Sequence, residues 1–130
     1  MADTDDHEDH KHEHSEWVFW ELERPLEGNC EIRFLTFEDP EGKMAFWHSS
    51  AHILGGALEA AYGVHLCYGP PTTDGFYYDA HCGEDKFAES DYKNIENVAD
   101  KFVWEKHKFE RLVLTKSEAL ELFAYNPFKV

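Results

Sequence analysis

The stretch Phe46-Trp47-His48-Ser49-Ser50-Ala51-His52-Ile53-Leu54-Gly55-Gly56 lies in a run whose apolar residues Met44, Trp47, Ala51, Leu54, Leu58 and Ala61 recur at three- and four-residue steps. Bounded by Asp39-Pro40 and by Gly63, this periodicity predicts one helix from about Pro40 to Tyr62, about 34 Å long at 1.5 Å per residue. Asp39 suits the N-cap, Pro40 the first helical position and Glu41 the positive helix end, while Gly63 supplies a stop. Residues four apart share a helix face, so His48 and His52 point into the same space. Glycine inside a helix costs about 0.5 to 1 kcal/mol relative to alanine, so the pair Gly55-Gly56 marks a place where another helix or a ligand comes close to the backbone.

Around this helix the chain reads as short elements of both kinds. Trp17-Val18-Phe19-Trp20-Glu21-Leu22 and Cys30-Glu31-Ile32-Arg33-Phe34-Leu35-Thr36-Phe37 are rich in strand formers, and Arg24-Pro25-Leu26-Glu27-Gly28-Asn29 breaks them apart. His65-Leu66-Cys67-Tyr68 and Phe76-Tyr77-Tyr78-Asp79 are strand candidates joined through Gly69-Pro70-Pro71 and a turn at Asp74-Gly75, with Phe76, Tyr78 and Ala80 on one face and Tyr77 and Asp79 on the other. A second helix is expected over about 91–107, with Ile95, Val98, Phe102 and Phe109 on its apolar side. A strand follows at 110–114. Thr115 and Glu118 have capping-box spacing for a short helix through about Ala124, ended by Asn126-Pro127, and Phe128-Lys129-Val130 reads as the start of a strand. The class is α+β. Phe46, Trp47 and Tyr62 are core residues by default, and Cys67 is a core residue rather than a nucleophile.

Charge narrows the partners. With 12 basic against 27 acidic residues and a net charge of -15, the chain is a weak nucleic-acid binder alone, because such binding needs Lys and Arg to displace counterions. Three scattered cysteines and the lack of a long apolar span point to a reducing, cytoplasmic setting with no membrane partner. Residues 1–16 hold seven acids against one lysine and read as a disordered, solvated tail; His7, His10, His12 and His14 there could bind a divalent metal weakly. His48-x-x-x-His52 does not make a zinc-protease motif, since position 49 is Ser rather than Glu, and two histidines fall short of the three or four ligands of zinc sites.

Three motifs in order carry a resemblance: Phe46-Trp47-His48-Ser49-Ser50-Ala51-His52-Ile53-Leu54-Gly55, then Leu66-Cys67-Tyr68-Gly69-Pro70-Pro71, then Gly75-Phe76-Tyr77-Tyr78-Asp79. They resemble the amino-terminal editing domain of the threonyl-tRNA synthetases, nearest to the eukaryotic cytoplasmic form. Trp20-Glu21-Leu22-Glu23-Arg24-Pro25-Leu26 and Phe37-Glu38-Asp39 resemble the end of the ubiquitin-like β-grasp (TGS) domain before it. The resemblance divides the chain into a tail at 1–16, the C-terminal part of a β-grasp domain at 17–39, and the first half of an editing domain, built on the long central helix, at 40–130.

The resemblance implies hydrolysis of serine wrongly esterified to the threonine tRNA. A threonine pocket gains only about 1 to 3 kcal/mol from one methyl group, so a second, hydrolytic site must remove the error. It makes His48 and His52 catalytic, placing the terminal adenosine and the attacking water or relaying its proton, with Tyr78 and Asp79 as substrate-binding wall residues. It implies no metal at this site and no cofactor for this chain, ATP and zinc belonging to an aminoacylation core that 130 residues cannot contain. The family completes the editing site with a Cys-x-x-x-His element and a lysine in the second half of the domain, and the positions four after Cys30, Cys67 and Cys82 are Phe34, Pro71 and Lys86. The chain therefore reads as a piece of the enzyme, inactive alone. The other reading is a binding or structural module that keeps the scaffold without the chemistry.

Overall fold

Proline at the first helical position and a left-handed glycine past the last bound the longest element of the protein. Helix α1 (Pro40–Tyr62) runs over the expected residues and closes at Gly63, whose φ of 63° lets its N–H reach the Glu59 carbonyl at 2.9 Å. The computed structural model describes residues 17–84 and 86–130. Asp39 stands at the N-cap without capping: its carboxylate turns back to accept the Thr36 N–H at 2.9 Å and the Thr36 hydroxyl at 3.2 Å, with the Arg33 guanidinium at 3.4 Å. The Thr36 N–H is the main reason its carboxyl lies below the ordinary 3.8.

After α1 come β1 (His65–Tyr68), β2 (Pro71–Thr72), β3 (Gly75–Phe76) and β4 (Asp79–His81). They form two antiparallel pairs. β1 pairs with β4 through His65↔His81, Leu66↔Ala80 and Tyr68↔Asp79, so Cys67 is the extra residue of a bulge. β2 and β3 close a tight hairpin, Pro71↔Phe76 and Thr72↔Gly75, with Thr73 and Asp74 as its loop; Gly75, expected in the turn, is a paired strand residue. The expected strand over 76–79 is split between β3 and β4. Its alternation survives: Phe76, Tyr78 and Ala80 are half-buried, and Tyr77 and Asp79 are exposed.

Helix α2 (Glu89–Glu105) starts two residues before its expected position, because the Ala88 N–H donates to the Asp91 carboxylate at 2.8 Å, and stops where Lys106 turns left-handed at φ 50°. Ile95, Val98 and Phe102 are half-buried, while Phe109 falls past the helix and is 75% exposed. Helix α3 (Lys116–Leu122) has the expected capping box: the Thr115 hydroxyl accepts the Glu118 N–H at 3.3 Å and the Glu118 carboxylate accepts the Thr115 N–H at 2.8 Å.

The core sits where α1 meets β1. Leu58, Val64 and Leu66 are buried together, with Leu54, Tyr78, Ala80, Cys82, Phe87 and Ile95 packed against them. Phe46 and Tyr62 are not core residues, at 53% and 37% exposed. Tyr62 instead meets the Phe87 ring at 5.3 Å and accepts a hydrogen bond from Asn94 of α2 at 3.2 Å, so its polar end decides its place.

Four segments expected as strands form no ladder: 17–22, 30–37, 110–114 and 128–130. The α+β class holds, but the β-grasp expectation for 17–39 finds no strand there. Propensity favours an extended backbone, whereas a strand also needs a partner edge with which to exchange hydrogen bonds. Residues 17–30 belong to a separate unit, Met1–Cys30, the rest being Glu31–Val130. In the first unit the Arg24 guanidinium lies 3.6 Å from the Trp20 ring centroid, the Trp20 indole N–H donates to the Arg24 carbonyl at 3.1 Å, and Arg24 pairs with Glu27 at 2.5 Å. That local closure takes the place of a hairpin. The expectations of a disordered tail and of metal binding by it concern residues 1–16 and lie outside the described residues. Among the described residues no helix is long and apolar enough to cross a membrane.

Candidate active site

His48 and His52 lie one turn apart on the exposed side of α1, their rings stacked with centroids 4.8 Å apart and 28° between planes. The edge of Tyr78 meets His52 at 6.5 Å and 62°. What holds Tyr78 there is a pair of glycines. A Cβ on Gly55 would stand 2.6 Å from Tyr78 Cε2, and a Cβ on Gly69 would collide with the same ring. The close approach expected at Gly55-Gly56 is thus an aromatic ring from the strand side at Gly55. At Gly56 it is a helix: Phe102 of α2 would lie 3.3 Å from an added Cβ.

These surroundings set the proton affinities. Partial burial lowers the pKa of His52 below its ordinary 6.5, and the neighbouring His48 and Lys129 lower it further, since a second positive charge would be repelled. His52 is therefore a neutral base at physiological pH, able to accept a proton. The Tyr78 phenol is pushed up, first by burial and then by Glu59, so it stays protonated and can donate.

The structure brings three of the four expected site residues together. Asp79 is the exception: it is exposed, on the side of the chain opposite to Tyr78, as the alternation requires. Two residues outside the expectation shape this face. Lys129 acts on His52 by its charge, and Asn126 positions the segment that carries it. Asn126 is fully buried; its amide donates to the Leu66 carbonyl at 2.9 Å, 60 residues away, and its side-chain oxygen accepts the Phe128 N–H at 3.0 Å. Nothing in the periodicity marks either residue. The only sequence cue is an asparagine in a helix-ending turn, where its amide is free to bond elsewhere. Among the described residues no group of three or more His, Cys, Asp or Glu is placed to hold a metal ion.

No protein-family model matches the chain. Curated relatives do. The chain is 50% identical over 111 residues to "Threonine--tRNA ligase, cytoplasmic" of Caenorhabditis elegans, a match covering 85% of this chain and 15% of that protein. It is 48% identical over 112 residues to threonine–tRNA ligase 1, cytoplasmic, of Rattus norvegicus and 47% over 112 residues to that of Homo sapiens, with 86% of this chain and 16% of each relative covered. This chain is a homologue of the cytoplasmic threonine–tRNA ligases. It spans about one sixth of the length of these threonyl-tRNA synthetases. Their cytoplasmic names agree with the setting expected from cysteine content and the lack of an apolar span. The synthetase relationship also agrees with the resemblance carried by the stretch around His48 and His52.

Proposed function

We propose that the chain supplies the histidine-bearing half of a hydrolytic editing site that removes serine from the threonine tRNA, within a cytoplasmic threonyl-tRNA synthetase. The observation that carries this reading is the stacked pair His48–His52 on an accessible helix face, with His52 held neutral and Tyr78 at its edge. In the reaction a water oxygen attacks the ester carbonyl, His52 takes the water proton, and the ribose hydroxyl leaves with a proton as the acyl bond breaks. His48 places the water or the terminal adenosine, and protonated Tyr78 donates to an oxygen of the substrate. ATP and zinc belong to the aminoacylation part of such an enzyme. The tRNA is the partner in that longer protein; at a net charge of -15 this chain has little grip on it alone.

Hydrolysis requires water, carbonyl and base to be placed together, and without a Cys-x-x-x-His element the water is left unplaced. Deacylation of seryl-tRNA tests this. The 130-residue chain is expected to show no rate above the uncatalysed one, whereas a synthetase polypeptide that includes that element deacylates and loses activity, about 100-fold or more, in its His52→Ala variant. Turnover by the 130-residue chain that depends on His52 would show the remaining half to be dispensable. A longer polypeptide indifferent to His48→Ala and His52→Ala would favour the alternative, a scaffold module without chemistry.

A further inference from the structure

Beside the first turn of α1 lies a cavity of about 590 Å³, lined by Glu38, Pro40, Lys43 and Met44 on one side and by Pro71, Thr72, Thr73 and Asp74 of the β2–β3 hairpin on the other. Its size falls in the range of small-molecule sites. None of its residues has a part in the hydrolysis described above. Its position relative to the histidines gives it a meaning: Met44 lines the cavity and His48 follows one turn later on the same side of α1, about 6 Å along the axis, with His52 a further turn on. A chain-like ligand whose reactive end lies at the histidines would pass its preceding unit into this cavity. Successive nucleotides, about 3.4 Å apart along a stacked strand, reach about that spacing when the strand is drawn out.

The lining favours one kind of ligand. Lys43 is held 5.2 Å over the Phe37 ring and, among the described residues, forms no ion pair, although Glu38 and Asp74 line the same cavity. An ammonium without a carboxylate partner is available to a phosphate oxygen. The two carboxylates repel a dianion such as free phosphate, but they accept hydrogen bonds from a base amine or a ribose hydroxyl, and the Thr72 and Thr73 hydroxyls can do either. Met44, Pro40 and Pro71 supply apolar surface for a base. A singly charged phosphodiester with amine and hydroxyl donors fits all of these.

We propose that this cavity binds the nucleotide preceding the esterified terminal adenosine, with Lys43 on the linking phosphodiester and Glu38 and Asp74 accepting from base or ribose. The assignment rests on the hydrolytic reading of the histidine face, and the test separates the two. The 130-residue chain is titrated with the dinucleotide cytidylyl-adenosine, with adenosine and with inorganic phosphate, following backbone amide and imidazole resonances. The dinucleotide should shift Lys43, Thr72 and Thr73 and bind at least fivefold more tightly than adenosine; Lys43→Gln should remove that advantage, and phosphate should not bind. Imidazole shifts at His48 and His52 with both nucleosidic ligands but none in the cavity would overturn the subsite and leave the hydrolytic reading standing. Cavity shifts without imidazole shifts would overturn the hydrolytic reading as the source of the ligand's register. Equal binding of dinucleotide and adenosine, or an unchanged Lys43→Gln variant, would also overturn the proposal.

Discussion

Helices α1 and α2 were both legible as periodic apolar runs, yet they have different lives in the fold. α1 buries Ala51, Gly55, Ala57 and Leu58 and is approached by strands on one side and by α2 on another. α2 buries no residue completely, meets α1 along Ile95, Val98 and Phe102, and leaves Val103 57% and Trp104 81% exposed. The difference is one of neighbours rather than of helix-forming tendency. A helix pressed from several directions needs small residues where the pressure is greatest, and that is where Gly55 and Gly56 stand. A helix with one neighbour can carry bulk on its other sides without effect on the packing.

The comparison can be broken most directly at Gly55. Gly55→Leu should push against the Tyr78 ring and cost about 1 to 3 kcal/mol in denaturant melts, with the His52 environment disturbed as well; an unchanged midpoint would mean that the ring is not clamped. Comparable in size is Asn126→Ala, which strands the Leu66 carbonyl and the Phe128 N–H and should cost about 1 to 3 kcal/mol. If that variant is as stable as the parent, the segment carrying Lys129 is not held by the buried amide.

Trp104→Gln is the counter-case on α2. Its side chain lies in solvent, so the change in stability should stay within about 0.5 kcal/mol. A loss as large as that of Gly55→Leu would mean that α2 is covered in solution, and the contrast between the helices would fail. The smallest effect should come from His52. Its folded pKa lies below 6.5, so the folded state binds fewer protons than the unfolded state as the pH falls past that value; stability therefore drops with decreasing pH until the lowered pKa is passed. Melts of the parent and of His52→Gln from pH 7.5 to pH 4.5 should differ in slope in that window. Equal slopes would show the burial of His52 to be without thermodynamic weight.

Regular local signals are legible in the sequence because they act through the chain's own backbone. Pro40 and Gly63 fixed both ends of α1, Thr115 and Glu118 the start of α3, and alternation from Phe76 to Ala80 the facing of Tyr78. Asp39 shows the limit of even a local signal: its carboxylate accepts the Thr36 N–H at 2.9 Å and caps no N–H of the helix. The strand expectations at 17–22, 30–37, 110–114 and 128–130 found no ladder for a different reason, since a strand is a property of two segments and a sequence window describes one.

By itself the sequence determined the central helix, the placing of His48 and His52 on one of its faces and the need for a close approach at Gly55-Gly56. Each follows from spacing, helix geometry and the absence of a side chain. Only the tertiary structure decided that the approaching group is Tyr78 at one glycine and Phe102 at the next, that Asp79 faces away, and that Asn126 holds the segment from which Lys129 acts on His52. Those outcomes depend on contacts between residues far apart in the chain, where the gain from burying a ring or pairing an amide exceeds anything that local propensity can express.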